Sequence, residues 1–369
     1  MHVRHVVRQY HPVIGGLENT VASLIDALRA QGVQGSVVTL NRNFQDHKTR
    51  LEANSEINGF PVTRIPYFGS SRYPIAPRVL ATLKGADIVH VHGVDFFFDY
   101  LASTRRIHGK HLVASTHGGF FHTTFANHLK KAYFNTITRA SSRSYETIIG
   151  SSDNDAAMFQ KVAPNNTVSI ENGVDVGKWH NCASSTPTTS LLALGRFSSN
   201  KALPDLIAIV SSLGAPWRLI VAGQNSDLTG DELRVMAEAH GVADRVQVHV
   251  GLNESEIRSL IARATYLTSA SRYEGFGLTA VEGLSAGLIP ILNDIPPFQK
   301  VISNAGVGSI ANMSKPSEAA QLIRDLHEDV TRSFSKMREK AIQASMPFSW
   351  ESVASRFAYE YAKIMSKNG

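Results

Sequence analysis

Short β-branched runs alternate with amphipathic helical stretches along nearly the whole chain, and the alternation runs twice. The first series comprises residues 2–10, 36–40, 62–65, 87–92, 111–115 and 147–150. It halts in a Ser/Thr/Pro-rich stretch, 181–190, and restarts at 191–194, 218–222, 246–250, 266–269, 289–292 and 308–310. Strand alternating with helix builds a mostly parallel sheet covered on both faces. The expected fold class is therefore α/β, with two doubly wound Rossmann-like domains facing each other. Domains at 1–178 and 191–347 are expected, joined by a linker at 179–190. Trp350, Val353, Phe357, Tyr361 and Ile364 follow helical spacing, so residues 348–369 are expected to form an amphipathic helix returning across the linker towards the first domain. Ligands of open parallel sheets bind beyond the carboxyl ends of the strands, so two facing domains would share one interdomain cleft.

The chain's 369 residues, 43% apolar and 18% charged, suit two cores and exclude a disordered or fibrous protein. Cys182 is the single cysteine and cannot close an intramolecular disulfide, and Met1 leads straight into a strand-like run without a signal-peptide apolar stretch. A cytoplasmic protein is expected. No stretch approaches the roughly 18 apolar residues of a membrane-spanning helix.

The net charge of +6 is uneven: residues 1–175 hold 18 Lys+Arg against 13 Asp+Glu, the remainder 19 against 18. No recognition helix or RNA-binding motif accompanies the surplus, so nucleic acid is not an expected partner. Residues 126–143 carry Lys130, Lys131, Arg139 and Arg143 without an acid, among Leu129, Tyr133 and Ile137 at helical spacing, and Phe120, Phe121 and Phe125 lead into them. Such a basic amphipathic stretch can lie on an anionic membrane, or form an ordinary surface helix.

The sharpest motif places Glu274 and Glu282 eight residues apart across a strand-turn-helix junction. Between them, Gly275 and Gly277 let backbone N–H groups approach a ligand, and a helix starting near Leu278 aims its positive end at phosphate. The two carboxylates can accept hydrogen bonds from the hydroxyls of a hexose and a ribose flanking a diphosphate. Arg196 and Lys201 follow the first strand of the second half, where two cations would neutralise a leaving diphosphate, although cations in a loop are often only solvated surface. Gly15 and Gly16 precede a helix at 18–29, and His117 follows the strand 111–115; a tight turn and a structural histidine are the plainer explanations of those two features.

Asp153-Asn154-Asp155 has the spacing of an Asp-x-Asp metal site, yet it opens a helix, where Asp is a natural N-cap. With no second carboxylate cluster, no zinc-type spacing, and His11, His117 and His122 scattered, no metal or other cofactor is expected. No Gly-x-Gly-x-x-Gly or Walker motif points to dinucleotide redox or ATP hydrolysis.

Taken together, these elements resemble glycosyltransferase family 4, of the GT-B fold, from Val3 to Met365, its mark being the Glu-x7-Glu element Glu274 to Glu282. The resemblance implies a retaining, metal-independent transfer from a nucleotide-diphosphate sugar, the acceptor bound in the first domain and the nucleotide in the second. It implies catalytic roles for His117, Arg196, Lys201 and Glu274. Donor binding falls to Gly15, Gly16, Leu252 (near the base), Phe276, Gly277, Leu278 and Glu282 (at the ribose). Residues 7–12, 69–77, 94–100 and 115–122 narrow the resemblance to family members of bacterial exopolysaccharide assembly. That implies an α-mannosyltransferase using GDP-mannose as donor and a lipid-linked acceptor, cellobiosyl-diphosphopolyprenol, to form an α-1,3 bond. Peripheral attachment to the anionic cytoplasmic face of the inner membrane would use Phe121, Phe125, Lys130, Lys131, Arg139 and Arg143. The residues themselves separate neither mannose from glucose nor guanine from uracil. A UDP-sugar with another lipid-linked or saccharide acceptor therefore stays open, as do a sugar-nucleotide epimerase and a non-catalytic sugar-nucleotide-binding subunit.

Overall fold

The computed structural model describes residues 1–46, 49–71, 73–118 and 131–367. The chain divides into two compact units, Met1–Gly173 with Trp350–Gly369, and Val174–Ser349.

The first unit carries strands β1 (His2–Val6), β2 (Gln34–Leu40), β3 (Asn54–Ile57), β4 (Phe60–Ile65), β5 (Phe68–Ser70), β6 (Tyr73–Ile75), β7 (Ile88–His92), β8 (His111–Ser115), β9 (Thr147–Gly150) and β10 (Thr167–Ser169). Eight of them form one sheet in the order β10-β9-β8-β7-β1-β2-β4-β3, parallel except for the edge pair β3–β4; β5 and β6 make a separate antiparallel hairpin. The short strands β3, β5, β6 and β10, of three or four residues each, are too short to show a strand period in the sequence.

Val6, Val38, Val89, Val91, Leu112 and Ile148 face one apolar layer with Phe97, Phe98 and Leu101. Val3, Ile88, Val113 and Ile149 face the other, closed by Leu24 and Leu28 of helix Gly16–Ala30 and by Val353, Phe357, Tyr361 and Ile364 of helix Trp350–Ser366. Burial on both faces is why these strands are mostly apolar on both sides of the sheet, with His5, His90 and His92 as buried polar exceptions. The chain's last helix is thus a working part of the first unit's core.

In the second unit β11 (Ser190–Leu194), β12 (Arg218–Gly223), β13 (Val246–Val250), β14 (Tyr266–Ser269), β15 (Ile289–Asn293) and β16 (Ser309–Ala311) form an all-parallel sheet in the order β13-β12-β11-β14-β15-β16.

The unit boundaries differ from the sequence expectation. Residues 179–190 are not a free linker: Trp179 and Ala183 are buried in the second core, and Asn181 N and Ala183 N donate to Ser285 O and Ala286 O at 2.9 and 2.8 Å. Their Ser/Thr/Pro surroundings hid two apolar anchors. At the other end Phe348 packs with Val174 and Val281 and accepts a backbone hydrogen bond from Val174, so the crossings fall at Gly173/Val174 and Ser349/Trp350.

Candidate functional site

Strand order in the second sheet reverses between β11 and β14, the place where doubly wound sheets bind ligands. The loop after β11 carries Arg196 and ends in the single 3-10 turn Ser199–Lys201; the loop after β14 carries Glu274. Backbone and side chain clamp them together, since Arg272 N donates to Asn200 O at 2.9 Å and Asn200 Nδ2 to Tyr273 O at 2.8 Å. Lys201 Nζ then donates to Glu274 Oε1 at 2.6 Å, both side chains about one-fifth exposed. Arg196 is exposed and lines one small concavity with Gly195, Lys201, Thr268 and Ser269. A cation-carboxylate pair beside an exposed guanidinium is an anion-binding arrangement with a hydrogen-bond acceptor built in.

Gly277 is the N-cap of helix Leu278–Ala286 with φ 97°, a left-handed conformation that favours glycine, and a Cβ there would lie 3.0 Å from Phe298. Among the described residues no side chain caps this helix; Ala280 N already donates to Gly277 O, and the Leu278 and Thr279 N–H groups ahead of it are positioned to meet an anion. Leu278 is 42% exposed at this end, whereas Phe276 leans into the apolar cluster of Val174, Val281 and Phe348. Glu282 is one turn on. Burial pushes its carboxyl up, Lys178 opposes that shift and Asp175 reinforces it. Both neighbours precede the Ser/Thr/Pro-rich stretch, and nothing in their spacing had marked them. Leu252, after β13, is partly buried against the core.

In the first unit the order reverses between β1 and β7. Gly15, after β1, is the extended N-cap of helix Gly16–Ala30 (φ −162°), and a Cβ on it would meet Glu18 Oε2 at 2.3 Å; a Cβ on Gly16 would meet nothing. His117 follows β8 with φ 53°. His92 Nδ1 lies 3.0 Å from His117 Nε2, and His5 Nδ1 lies 3.0 Å from His92 Nε2. Sequence reading missed His5, His90 and His92. The signal was there in His90-Val91-His92, whose period of two puts both rings on one sheet face.

Ring nitrogens of His5, His90 and His92 lie within 4.8 Å of one another, but the donor set does not fit a cation. His90 already spends both nitrogens, on Tyr361 OH at 2.6 Å and Ser115 Oγ at 2.8 Å, and His5 and His92 bond each other. Of the Asp-x-Asp element, Asp155 is buried and accepts from Thr116 Oγ1 and Ser151 N, Asp153 accepts from Ser169 Oγ, and the N-cap is Ser152 rather than either Asp.

Of the basic stretch, Phe121, Phe125 and Lys130 lie outside the described residues; Lys131, Arg139 and Arg143 are exposed. The periodicity is not that of a plain α-helix. A π-helical turn, Phe134–Thr138, adds a residue to the turn, so Phe134, Thr138 and Ser142 are buried and Ile137 is 48% exposed. No helix among the described residues is long and apolar enough to cross a membrane.

Two doubly wound units, one of them with paired cations, paired carboxylates and an open helix N-terminus at its switch point, define the class of nucleotide-sugar glycosyltransferases. Residues 14–178 match the family described as Glycosyltransferase Family 4, and residues 183–345 match Glycosyl transferases group 1. The chain belongs to glycosyltransferase family 4. It is 43% identical to the GDP-mannose:cellobiosyl-diphosphopolyprenol alpha-mannosyltransferase of Xanthomonas oryzae, over 98% of this chain and 96% of that one. Identity to the enzyme of the same name from Komagataeibacter xylinus is 37%, over 99% and 94%. A glycosyltransferase of Rickettsia africae has the same fold at 18% identity (TM-score 0.75, covering 100% and 99% of the two chains).

Proposed function

We propose that this chain transfers mannose from GDP-mannose to cellobiosyl-diphosphopolyprenol, with retention, in the assembly of an exopolysaccharide repeat unit. Near-full-length identity to relatives of that activity carries the reading, and the Arg196, Lys201 and Glu274 constellation supplies its chemistry. The acceptor hydroxyl attacks the anomeric carbon on the face from which GDP departs, and the leaving diphosphate takes the proton. Arg196 and Lys201 stabilise the charge that grows on that diphosphate, so they act more strongly in the transition state than before it. Glu274 orients the hexose while holding Lys201, Glu282 accepts from the ribose, and the N–H groups at Gly277 and Leu278 meet phosphate. Gly15, Gly16 and Leu252 complete the donor contacts, and His117 meets the transferred sugar. In this reading leaving-group stabilisation is assigned to these protein groups, with no metal.

The test is transfer of radiolabel from GDP-mannose, UDP-glucose and UDP-N-acetylglucosamine, in parallel and with chelator present, to a synthetic cellobiosyl diphospholipid. Labelled trisaccharide-lipid from GDP-mannose alone is expected. Label from a UDP-sugar only would overturn the donor, and label that disappears with chelator would overturn metal independence.

Glu282→Ala should weaken GDP binding by about 1.5–3 kcal/mol, the worth of a charge-assisted hydrogen bond, read by calorimetry. Unchanged affinity removes the ribose contact.

We also propose that the exposed Lys131, Arg139 and Arg143 draw the first unit to anionic lipid. Each basic residue near such a surface contributes on the order of 1 kcal/mol. Reversing all three to Glu should abolish co-sedimentation with phosphatidylglycerol vesicles at low salt, and binding that survives the reversal would sink the idea.

A further inference from the structure

The histidines beneath the last helix form a chain with a direction. His5 on β1 and His90 on β7 are register partners, and His92 is two residues beyond His90, so the three rings project from one sheet face. Tyr361 and Phe357 of helix Trp350–Ser366 close over His90. The contacts His5 Nδ1 to His92 Nε2 and His92 Nδ1 to His117 Nε2, both 3.0 Å, link three imidazoles in series. A neutral ring donates with one nitrogen and accepts with the other, so the series can run in only two directions. Were His117 to donate to His92 and His92 to His5, the surplus hydrogen would end on His5 Nε2, a buried atom with no partner among the described residues. In the opposite direction the unpaired atom is a lone pair. Among buried backbone groups, orphaned N–H groups are rarer than under-satisfied acceptors, and the same preference applied to these rings runs the series from His5 through His92 to His117.

We propose that His5 and His92 are positioning residues that hold His117 as the neutral Nδ1–H tautomer, its Nε2 lone pair filled by His92, so that His117 offers substrate an N–H donor. This deepens the mannosyltransferase reading, on which the substrate contact of His117 rests. Burial keeps the series uncharged: it pushes His117 down to about 4, His5 down to about 3, and His92 well below the usual imidazole range. His117 also has a left-handed backbone (φ 53°), which a non-glycine residue keeps only where its surroundings over-determine it. A ring so fixed cannot take the acceptor's proton. It can donate to a hydroxyl or phosphoryl oxygen, which agrees with a leaving diphosphate as the base.

The experiment uses the full chain labelled with 15N-histidine, its two-bond 1H–15N correlations recorded near neutral pH without substrate. His117 is assigned by its loss in His117→Gln. A protonated Nδ1 and an accepting Nε2 are expected; protonation at Nε2, or an average of both tautomers, overturns the proposal. His92→Leu should average the tautomers and lower kcat about tenfold, the worth of one hydrogen bond, with KM for GDP-mannose unchanged. His92→Asn, whose amide can donate from the place of Nδ1, should restore the tautomer and recover kcat to within about threefold. A His92→Leu protein with an unaltered His117 spectrum overturns the proposal. The tautomer is read without substrate, so a failure of the mannosyltransferase reading would show separately, as absence of transfer by the unmutated chain.

Discussion

Lys201→Ala is expected to lower turnover with GDP-mannose by at least about 10², the scale on which a preorganised charge stabilises a departing oxyanion, while the melting temperature stays within a few degrees. The position of Nζ explains the size. Lys201 closes a 3-10 turn, and Ala202 after it is left-handed (φ 47°) where helix Leu203–Leu213 begins. The ammonium therefore stands at a fixed point against Glu274, 2.6 Å away, and no loop reorganisation is needed when charge develops. The pair also predicts coupling. With Lys201 gone, Glu274 would remain a largely buried carboxylate without its partner, so Glu274→Gln in the Lys201→Ala background should cost much less than Glu274→Gln alone. Initial rates of the two single variants and the double variant, with folding checked by thermal melting, decide this. Near-normal turnover by Lys201→Ala would remove it from the mechanism, and additive losses would mean that the ion pair does not act as a unit.

Much of this site was legible in the sequence, for a physical reason. Glu274, Gly277 and Glu282 share one strand-turn-helix element, so spacing along the chain is nearly spacing in space. Arg196 and Lys201 follow β11, whose short apolar run 191–194 after a Ser/Thr/Pro-rich stretch announces where its carboxyl end lies. The other strand-helix alternations were nearly as plain, since parallel strands buried on both faces are written mostly in apolar residues.

What escaped notice depends on contacts between distant segments. The pairing of Lys201 with Glu274 spans 73 residues, and that of His5 with His92 spans 87; neither leaves a local trace. Trp179 disappeared into a stretch whose composition resembles a linker, because one buried indole outweighs several exposed Ser and Thr residues without changing the average. The π-helical turn at Phe134–Thr138 defeated a helical wheel in another way, since one added residue rotates every later side chain to a different face.

Gly223→Ala is expected to cut turnover by about 10², because a displacement of an ångström at a catalytic group costs on that order, although residue 223 touches no substrate in the proposed mechanism. It ends β12, beside the loop that carries Arg196. A Cβ built on Gly223 would lie 1.7 Å from Gly195 O and 3.0 Å from the Phe197 ring. The backbone at 223 is not left-handed, so alanine is admissible in its own φ and ψ, and only space is short. The neighbour that must yield is backbone, and it is tied down: Gly195 N donates to Ala222 O at 3.0 Å and Phe197 N to Gln224 O at 2.8 Å. Relief therefore moves the Gly195–Arg196 segment by more than an ångström, carrying the guanidinium away from where a diphosphate would meet Lys201. Phe197 is fully buried, so some stability is lost as well, and urea denaturation must show a folded protein before rates are compared. A folded Gly223→Ala protein with normal kcat and normal affinity for GDP would mean that the position of Arg196 does not govern the reaction, and the diphosphate clamp would then reduce to Lys201 and the helix N-terminus at Gly277.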